Sequence, residues 1–382
     1  MKKILIIATI SDTLECFILP FVKHFRGLGW QVDGMAQGIN NCDRCLAEFD
    51  RVWEVEWSRN PLDLKNFFVA APRVKELVAQ GNYDLVHVHT PVAAFVTRYA
   101  LRNYRGKQQL QVFYTAHGFH FHPAGNPIKN TIFLGLEKLA GNWTDGLITI
   151  NREDEAAAKK YRLLAPEKIH YTPGIGVDIS YYCSDRLSEE AITKVREELQ
   201  LESTDSLLLC IAEFIPRKRH SDIIHAFKKL NRSDIHLALA GDGDLQTNIE
   251  QLTVKLGLAK QVHFLGFRSD IPELITASHA VLLVSQQEGL PRSIMEALCL
   301  ATPVIGTNIR GIRDLLADNC GLLVEVGDIE ELARAMAWIV DNPDAAIQMG
   351  QRGKNQMADY DINNIVQLYT QLYDRALTTI NN

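Results

Sequence analysis

The stretch Ser285-Gln286-Gln287-Glu288-Gly289-Leu290-Pro291-Arg292-Ser293-Ile294-Met295-Glu296-Ala297-Leu298 reads as a strand end, a short turn and a helix start. Pro291 suits the first helical position, because its missing N–H is not needed there. The N–H groups of Gly289, Leu290 and the first helical turn then offer a place for an anion such as a diphosphate. Glu288 stands just ahead of that turn, where carboxylate and phosphate would repel, so it is assigned to neutral hydroxyls. Glu296 lies about a turn and a half inside the helix, and helical side chains lean back towards the amino end. Two carboxylates flanking an anion site match a ligand with phosphates in the middle and hydroxyls at both ends. A nucleotide sugar has that layout. The plainer alternative is a capped surface helix with two solvated glutamates.

Outward from this stretch, short apolar runs alternate with amphipathic segments along the whole chain. Strands are expected at Lys3–Ala8, Val32–Ala36, Arg51–Val55, Leu85–His89, Gln111–Thr115 and Gly146–Ile150. A second series follows at Ser206–Ala212, His236–Ala240, Val262–Leu265, Ala280–Ser285 and Pro303–Gly306. Helices are expected between them, among them Leu14–Leu28 closed by Gly29 and Leu62–Gln80 ended by Gly81. This pattern predicts an α/β protein with two Rossmann-like, doubly wound parallel-sheet domains facing across a cleft. The domains are placed at residues 1–172 and 173–359, with the C-terminal helix 360–382 packing back on the first. Pro173-Gly174-Ile175-Gly176 is the expected hinge. Ligands in such sheets collect beyond the carboxyl ends of the strands.

Composition narrows the class. At 382 residues, 47% hydrophobic and 23% charged, the chain is globular, and no run of about 20 apolar residues is present to span a membrane. Seven cysteines without regular spacing argue for a reducing compartment, hence the cytoplasm. Cys42 and Cys45 have redox or zinc-knuckle spacing but no second pair. Up to Thr172 there are 21 Lys and Arg against 17 Asp and Glu, and beyond it 19 against 29. The positive front half suggests an anionic neighbour, with chance composition as the alternative. One candidate membrane-facing patch is a helix from Phe17 to Trp30 that sets Phe17, Phe21, Phe25 and Trp30 beside Lys23, His24 and Arg26. Another is Arg98, Arg102, Arg105 and Lys107. Peripheral attachment to the inner membrane face is one expectation; no nucleic-acid partner is expected.

Three further loops carry chemistry. Glu213-Phe214-Ile215-Pro216-Arg217-Lys218-Arg219-His220 follows the first strand of the rear half, and its cations suit a departing diphosphate without a metal. Tyr114-Thr115-Ala116-His117-Gly118-Phe119-His120-Phe121-His122 follows a front-half strand. No adjoining Cys or carboxylate cluster supports a metal there, so His117-Gly118 is read as a ligand-facing turn. His120 and His122 are candidates for an acceptor site or for aromatic loop packing. Gly241-Asp242-Gly243-Asp244-Leu245 lacks the third glycine and the acidic partner of a dinucleotide fingerprint.

Together these motifs resemble the retaining family 4 glycosyltransferases of GT-B fold, over essentially the whole chain. The resemblance implies that Glu288 contacts the sugar hydroxyls and Glu296 the ribose, while Gly289, Leu290 and the helix start receive the diphosphate. Lys218 matches the lysine that holds the diphosphate, and His117 the histidine that points at the donor sugar. Gly241 and Gly243 match a turn beside the donor, and the backbone at Phe267 or Arg268 the loop that reads uracil. The family arginine is replaced by Glu213; either Arg217 or Arg219 takes its place, or Glu213 has another duty. The glycine-rich loop after the first strand is missing; Thr9-Ile10-Ser11-Asp12-Thr13 stands there. The implied activity is metal-independent, retaining transfer of a hexose or N-acetylhexosamine from a UDP-sugar, with no cofactor. The implied acceptor is a glycan, lipid-linked on polyprenyl diphosphate or soluble, as in capsule and exopolysaccharide assembly. An epimerase of the same architecture and a catalytically silent sugar-nucleotide-binding subunit are the alternatives.

Overall fold

Strand β1 (Lys3–Ile10) is buried from Ile4 to Ala8, on both of its faces. A strand apolar on both faces belongs inside a parallel sheet covered by helices on each side. That is its place in the computed structural model, which describes residues 1–58, 63–104, 110–122 and 125–378. The first sheet also contains β2 (Gln31–Gln37), β3 (Arg51–Glu54), β4 (Leu85–His89), β5 (Gln111–Ala116), β6 (Gly146–Thr149) and β7 (Ile169–Tyr171). Its order is β3-β2-β1-β4-β5-β6-β7, every pair parallel, so the winding reverses between β1 and β4.

The second sheet comprises β8 (Ser206–Ile211), β9 (Ile235–Ala240), β10 (Val262–Gly266), β11 (Ala280–Leu283), β12 (Val304–Thr307) and β13 (Leu322–Val324). Its order is β10-β9-β8-β11-β12-β13, again all parallel, with the reversal between β8 and β11. In such sheets the crevice at the reversal is where a ligand finds room between diverging loops. The chain divides into two compact units, Met1–Ile175 with Ile362–Asn382, and Gly176–Asp361.

The strand period of two sorts the core of the first unit. Val86 and Val88 of β4 turn to the face that also buries Leu5, Ile7, Val112 and Tyr114. Leu85 lies with Ile4, Ile6 and Phe113 on the other face, under the helix Leu19–Gly27 and the C-terminal helix Ile362–Thr378.

Four sequence expectations are corrected by local chemistry. The expected single helix Leu14–Leu28 is two helices, Ser11–Phe17 and Leu19–Gly27, with Pro20 in the first turn of the second. Proline donates no backbone hydrogen bond, so the ladder stops and restarts there. In the segment expected as the helix Leu62–Gln80, whose first residue lies outside the described ones, a π-turn Asn66–Ala70 precedes the α-helix Ala71–Gly81. Pro72 is in the first turn of that helix for the same reason, and Asn82 ends it at φ 49°. Two three-residue strands, β7 and β13, were not expected; each ends a sheet and is too short to show a period.

The fourth correction concerns the lipid-facing patches. Phe21, Phe25 and Trp30 are buried, with Phe21 4.9 Å from Tyr369 and Phe25 5.2 Å from Tyr373, ring centre to ring centre. The C-terminal helix covers the aromatics that would have faced lipid. His24 bonds Thr370 on that helix, Lys23 pairs with Glu48, and Arg26 pairs with Asp50. Arg98 is buried too, bonded to Glu137 at 3.0 Å and lying over the Tyr114 ring. Arg102 bends back to the carbonyl of Tyr99, and Arg105 and Lys107 lie outside the described residues. Among the described residues no helix is long and apolar enough to cross a membrane.

Candidate functional site

In the second unit the loops after β8 and β11 leave the two strands at which the sheet reverses, and they are tied together. The Gln286 amide donates to the carbonyl of Arg217 at 2.7 Å. Lys218 Nζ donates to Glu288 Oε1 at 2.7 Å, and both side chains are largely withdrawn from solvent. Arg217 reaches the same oxygen at 3.4 Å and the Gln287 carbonyl at 3.2 Å. The buried Arg310, from the loop after β12, donates to the Glu288 carbonyl at 3.2 Å. Two cations therefore converge on one carboxylate at the strand ends. Of the two arginines left open by the sequence, Arg217 turns to Glu288, whereas Arg219 pairs with Asp222 at 2.6 Å. Glu213 is exposed.

Pro291 is the residue before the helix Arg292–Cys299 rather than its first member, a one-residue correction that leaves Gly289 and Leu290 in the approach to the helix. Glu296, on the second turn of that helix, is buried. Burial pushes its carboxyl pKa up, against the pull of Arg292 at 3.3 Å and a hydrogen bond with the Tyr182 hydroxyl. Gly241 and Gly243 lie in the loop after β9, packed on the loop after β8. A Cβ on Gly241 would fall 2.3 Å from the carbonyl oxygen of Ala212, and one on Gly243 2.7 Å from the amide of Phe214. In the loop after β10, Phe267 is 82% exposed. The neighbouring Arg268 guanidinium is engaged by Asp270 and Glu198.

In the first unit His117 follows β5 and is half-buried. Its Nε2 meets Nδ1 of His89, the last residue of β4, at 2.9 Å. Behind His89 stands His87, two residues earlier and on the same face, with ring centres 4.2 Å apart. His87 is bonded through Nε2 to the Thr115 hydroxyl at 2.8 Å and through Nδ1 to the Tyr373 hydroxyl. Burial holds all three imidazoles below the ordinary range, His117 at about 4 and His87 at about 3. They are neutral near pH 7. Next to His89, Thr90 adopts φ 64°, a strained conformation for a β-branched residue. Its hydroxyl is 2.7 Å from that of Thr9, so this strain lies at the reversal between β1 and β4. Where a glycine-rich loop was absent, β1 runs directly into the helix at Ser11.

Beside His117 a cavity of about 400 Å³ is lined largely by Phe67, Phe95, Phe119, Phe121, Phe133 and Leu136. His120 lines it too, its ring 5.1 Å from that of Phe133, while His122 is tied through its backbone to Asn130. Cys42 caps the helix Asp43–Glu48 by accepting from the Cys45 amide. Among the described residues no group of three or more His, Cys, Asp or Glu side chains is arranged to hold a metal ion.

Sequence reading missed Tyr182, Arg310, His87, His89 and Thr90. The alternation His87-Val88-His89 in a strand was a usable signal, since period two sends both rings to one face. Tyr182 and Arg310 gave none, because their partners are distant in the chain.

Comparison with known proteins bears on the family and the fold. The model described as "Glycosyl transferases group 1" matches residues 191–356, and that described as "Glycosyltransferase Family 4" matches residues 15–181. The chain is 32% identical over 378 residues to the putative glycosyltransferase EpsD of Bacillus subtilis (strain 168), covering 97% of this chain and 96% of that protein. It is 28% identical over 273 residues to the UDP-Gal:alpha-D-GlcNAc-diphosphoundecaprenol alpha-1,3-galactosyltransferase of Escherichia coli, covering 70% and 69% of the two chains. Among solved structures, Anabaena Alr3699/HepE in complex with UDP-glucose matches with TM-score 0.81 at 19% identity, over 98% of this chain and 100% of that one. At such identity the likeness speaks for the fold.

Proposed function

The chain belongs to the family 4 glycosyltransferases of GT-B fold, and from that premise we propose that it transfers a hexose or N-acetylhexosamine from a UDP-sugar to a polyprenyl-diphosphate-linked glycan. The observation that carries the donor half is the Lys218–Glu288 pair, with Arg217 beside it, at the reversal of the second sheet. A cation and a hydroxyl acceptor 2.7 Å apart suit adjoining parts of one ligand, the diphosphate and the sugar it carries. In this reading Lys218 and Arg217 stabilise charge on the departing diphosphate, a role that oriented cations fill well in a partly dry site. Gly289, Leu290 and the start of the helix Arg292–Cys299 receive the phosphates, Glu288 the sugar hydroxyls and Glu296 the ribose. The backbone at Phe267 and Arg268 reads the base beside the Gly241–Gly243 turn. His117 of the first unit is a neutral hydrogen-bonding group, and the family resemblance assigns it to the donor sugar. Transfer proceeds with retention and without a metal.

The acceptor half is supported by the aromatic cavity beside Gly118-Phe119-His120, which suits an apolar chain. Two relatives are named for diphosphoundecaprenol-linked acceptors, those of Escherichia coli and Campylobacter jejuni. Such an acceptor implies work at an anionic membrane surface.

The test is UDP release from UDP-sugars, with and without a prenyl-diphosphate-linked sugar, in excess chelator. Acceptor-dependent release, with the product's anomeric configuration the same as the donor's, is expected. Donor conversion without acceptor would mark an epimerase, binding without turnover a silent subunit, and activity restored only by manganese would overturn metal independence.

A further inference from the structure

Alternation along β4 sends His87 and His89 to the face covered by the C-terminal helix, and Thr115 and His117 continue that face from β5. Neighbouring rings thus form a row from Tyr373 through His87 and His89 to His117. The row is fixed at several points. Tyr373 holds one nitrogen of His87 and Thr115 the other, and Thr115 is itself 3.1 Å from the Tyr369 hydroxyl. The backbone of His89 is held by its successor, whose hydroxyl donates to the His89 carbonyl while receiving the Thr9 amide at 3.0 Å. His89 is therefore held through its backbone and against the His87 ring, and its Nδ1 meets His117 Nε2 at 2.9 Å.

We propose that His89 is the positioning residue of His117: its Nδ1 engages His117 Nε2, sets the ring plane and tautomer, and presents Nδ1 of His117 to the substrate. The role of an imidazole's second nitrogen is commonly set by the bond its first one makes. A neutral ring has one donor and one acceptor nitrogen, so pinning one specifies what the other offers a sugar hydroxyl. The C-terminal helix, through Tyr373, belongs to the support of this residue although it is remote from it in sequence.

The inference rests on His117 facing the sugar, and the experiment separates the two claims. Side-chain nitrogen NMR of histidine-labelled protein reads the tautomer directly. One dominant His117 tautomer is expected in the wild type between pH 6 and 8, and a mixture in H89F. Equal tautomers in the wild type, or unchanged shifts in H89F, would overturn the positioning role whatever the activity. In turnover, H89N, whose amide stands near the place of Nδ1, should keep kcat within about threefold. H89Q, which reaches the place of Nε2 instead, should lose at least tenfold in kcat with little change in donor KM. Equal losses in both, with unchanged nitrogen shifts, would reduce His89 to packing. Should H117A retain full kcat while the shifts behave as expected, the sugar-facing reading of His117 fails and the positioning geometry stands.

Discussion

A lysine and a glutamate that share a proton donor contact inside a protein are hard to replace one at a time. Removing Lys218 leaves Glu288 largely buried, with Arg217 at the longer distance of 3.4 Å to answer its charge. K218A is expected to lower kcat/KM for the donor by at least tenfold, about 1.4 kcal/mol, with a fall in melting temperature that added UDP no longer offsets. E296Q, at a buried carboxylate, should lose as much in donor affinity; wild-type kinetics in either variant would remove the donor-site assignment. The histidines give a pH signature of known sign. His87 and His117 have folded pKa values of about 3 and 4, below the ordinary 6.5. Their contribution to stability is therefore complete above pH 6.5 and is lost as pH falls towards 4. Glu296, raised by burial, has the opposite sign: stability it gives below pH 4.5 is lost as pH rises through its folded value, a partial offset above pH 4.5. Melting temperature should drop steeply from pH 6.5 to 4, and H87Q should flatten that slope. An unchanged slope would show that His87 does not titrate with unfolding.

Loops at strand ends are built by close approach between elements. Gly311, at φ 75°, lets the loop after β12 reach the loop after β11, where a Cβ would stand 2.0 Å from the Gly289 carbonyl oxygen. G311A is thus expected to cost at least about 1–2 kcal/mol from the backbone conformation alone, and to weaken donor binding by displacing Gly289. Chemical denaturation and donor titration check the two effects separately. What was legible in the sequence follows the same division between local and distant. The strand, turn and helix of Ser285–Leu298 could be read because strand end, glycine, proline and glutamates are neighbours in the chain. The breaks at Pro20 and Pro72 are legible in the same way, since a proline there outweighs the longer apolar period. The choice of Arg217 over Arg219 was not legible, since Arg219 is diverted by Asp222 at a left-handed residue, φ 54°. Nor was the His89–His117 contact, which needs β4 and β5 to be neighbours in register, His89 beside Thr115.

Across the molecule, charge and exposed apolar surface decide how it would meet a membrane. The C-terminal segment that returns to the first unit carries only Asp374 and Arg375 as charges, so that unit keeps the excess of about four positive charges counted up to Thr172. The aromatics expected beside those charges are in the core, under the C-terminal helix. Large apolar side chains do remain exposed on two of the elements that line the cavity: Phe68 and Val69 beside Phe67, and Ile128 and Ile132 ahead of Phe133. Phe68 and Ile128 are 75% and 73% exposed, so replacing them removes little from the core. Surface apolar groups inserted at the headgroup boundary, helped by basic charge, give attachment that salt weakens. The wild type is expected to sediment with anionic vesicles at low salt and to be released at high salt. The double variant F68S/I128S should bind several-fold less under the same conditions, with an unchanged melting temperature. Binding that is absent at low salt, or equal on neutral vesicles, would favour a soluble acceptor. Full binding by F68S/I128S would place the contact elsewhere on the surface.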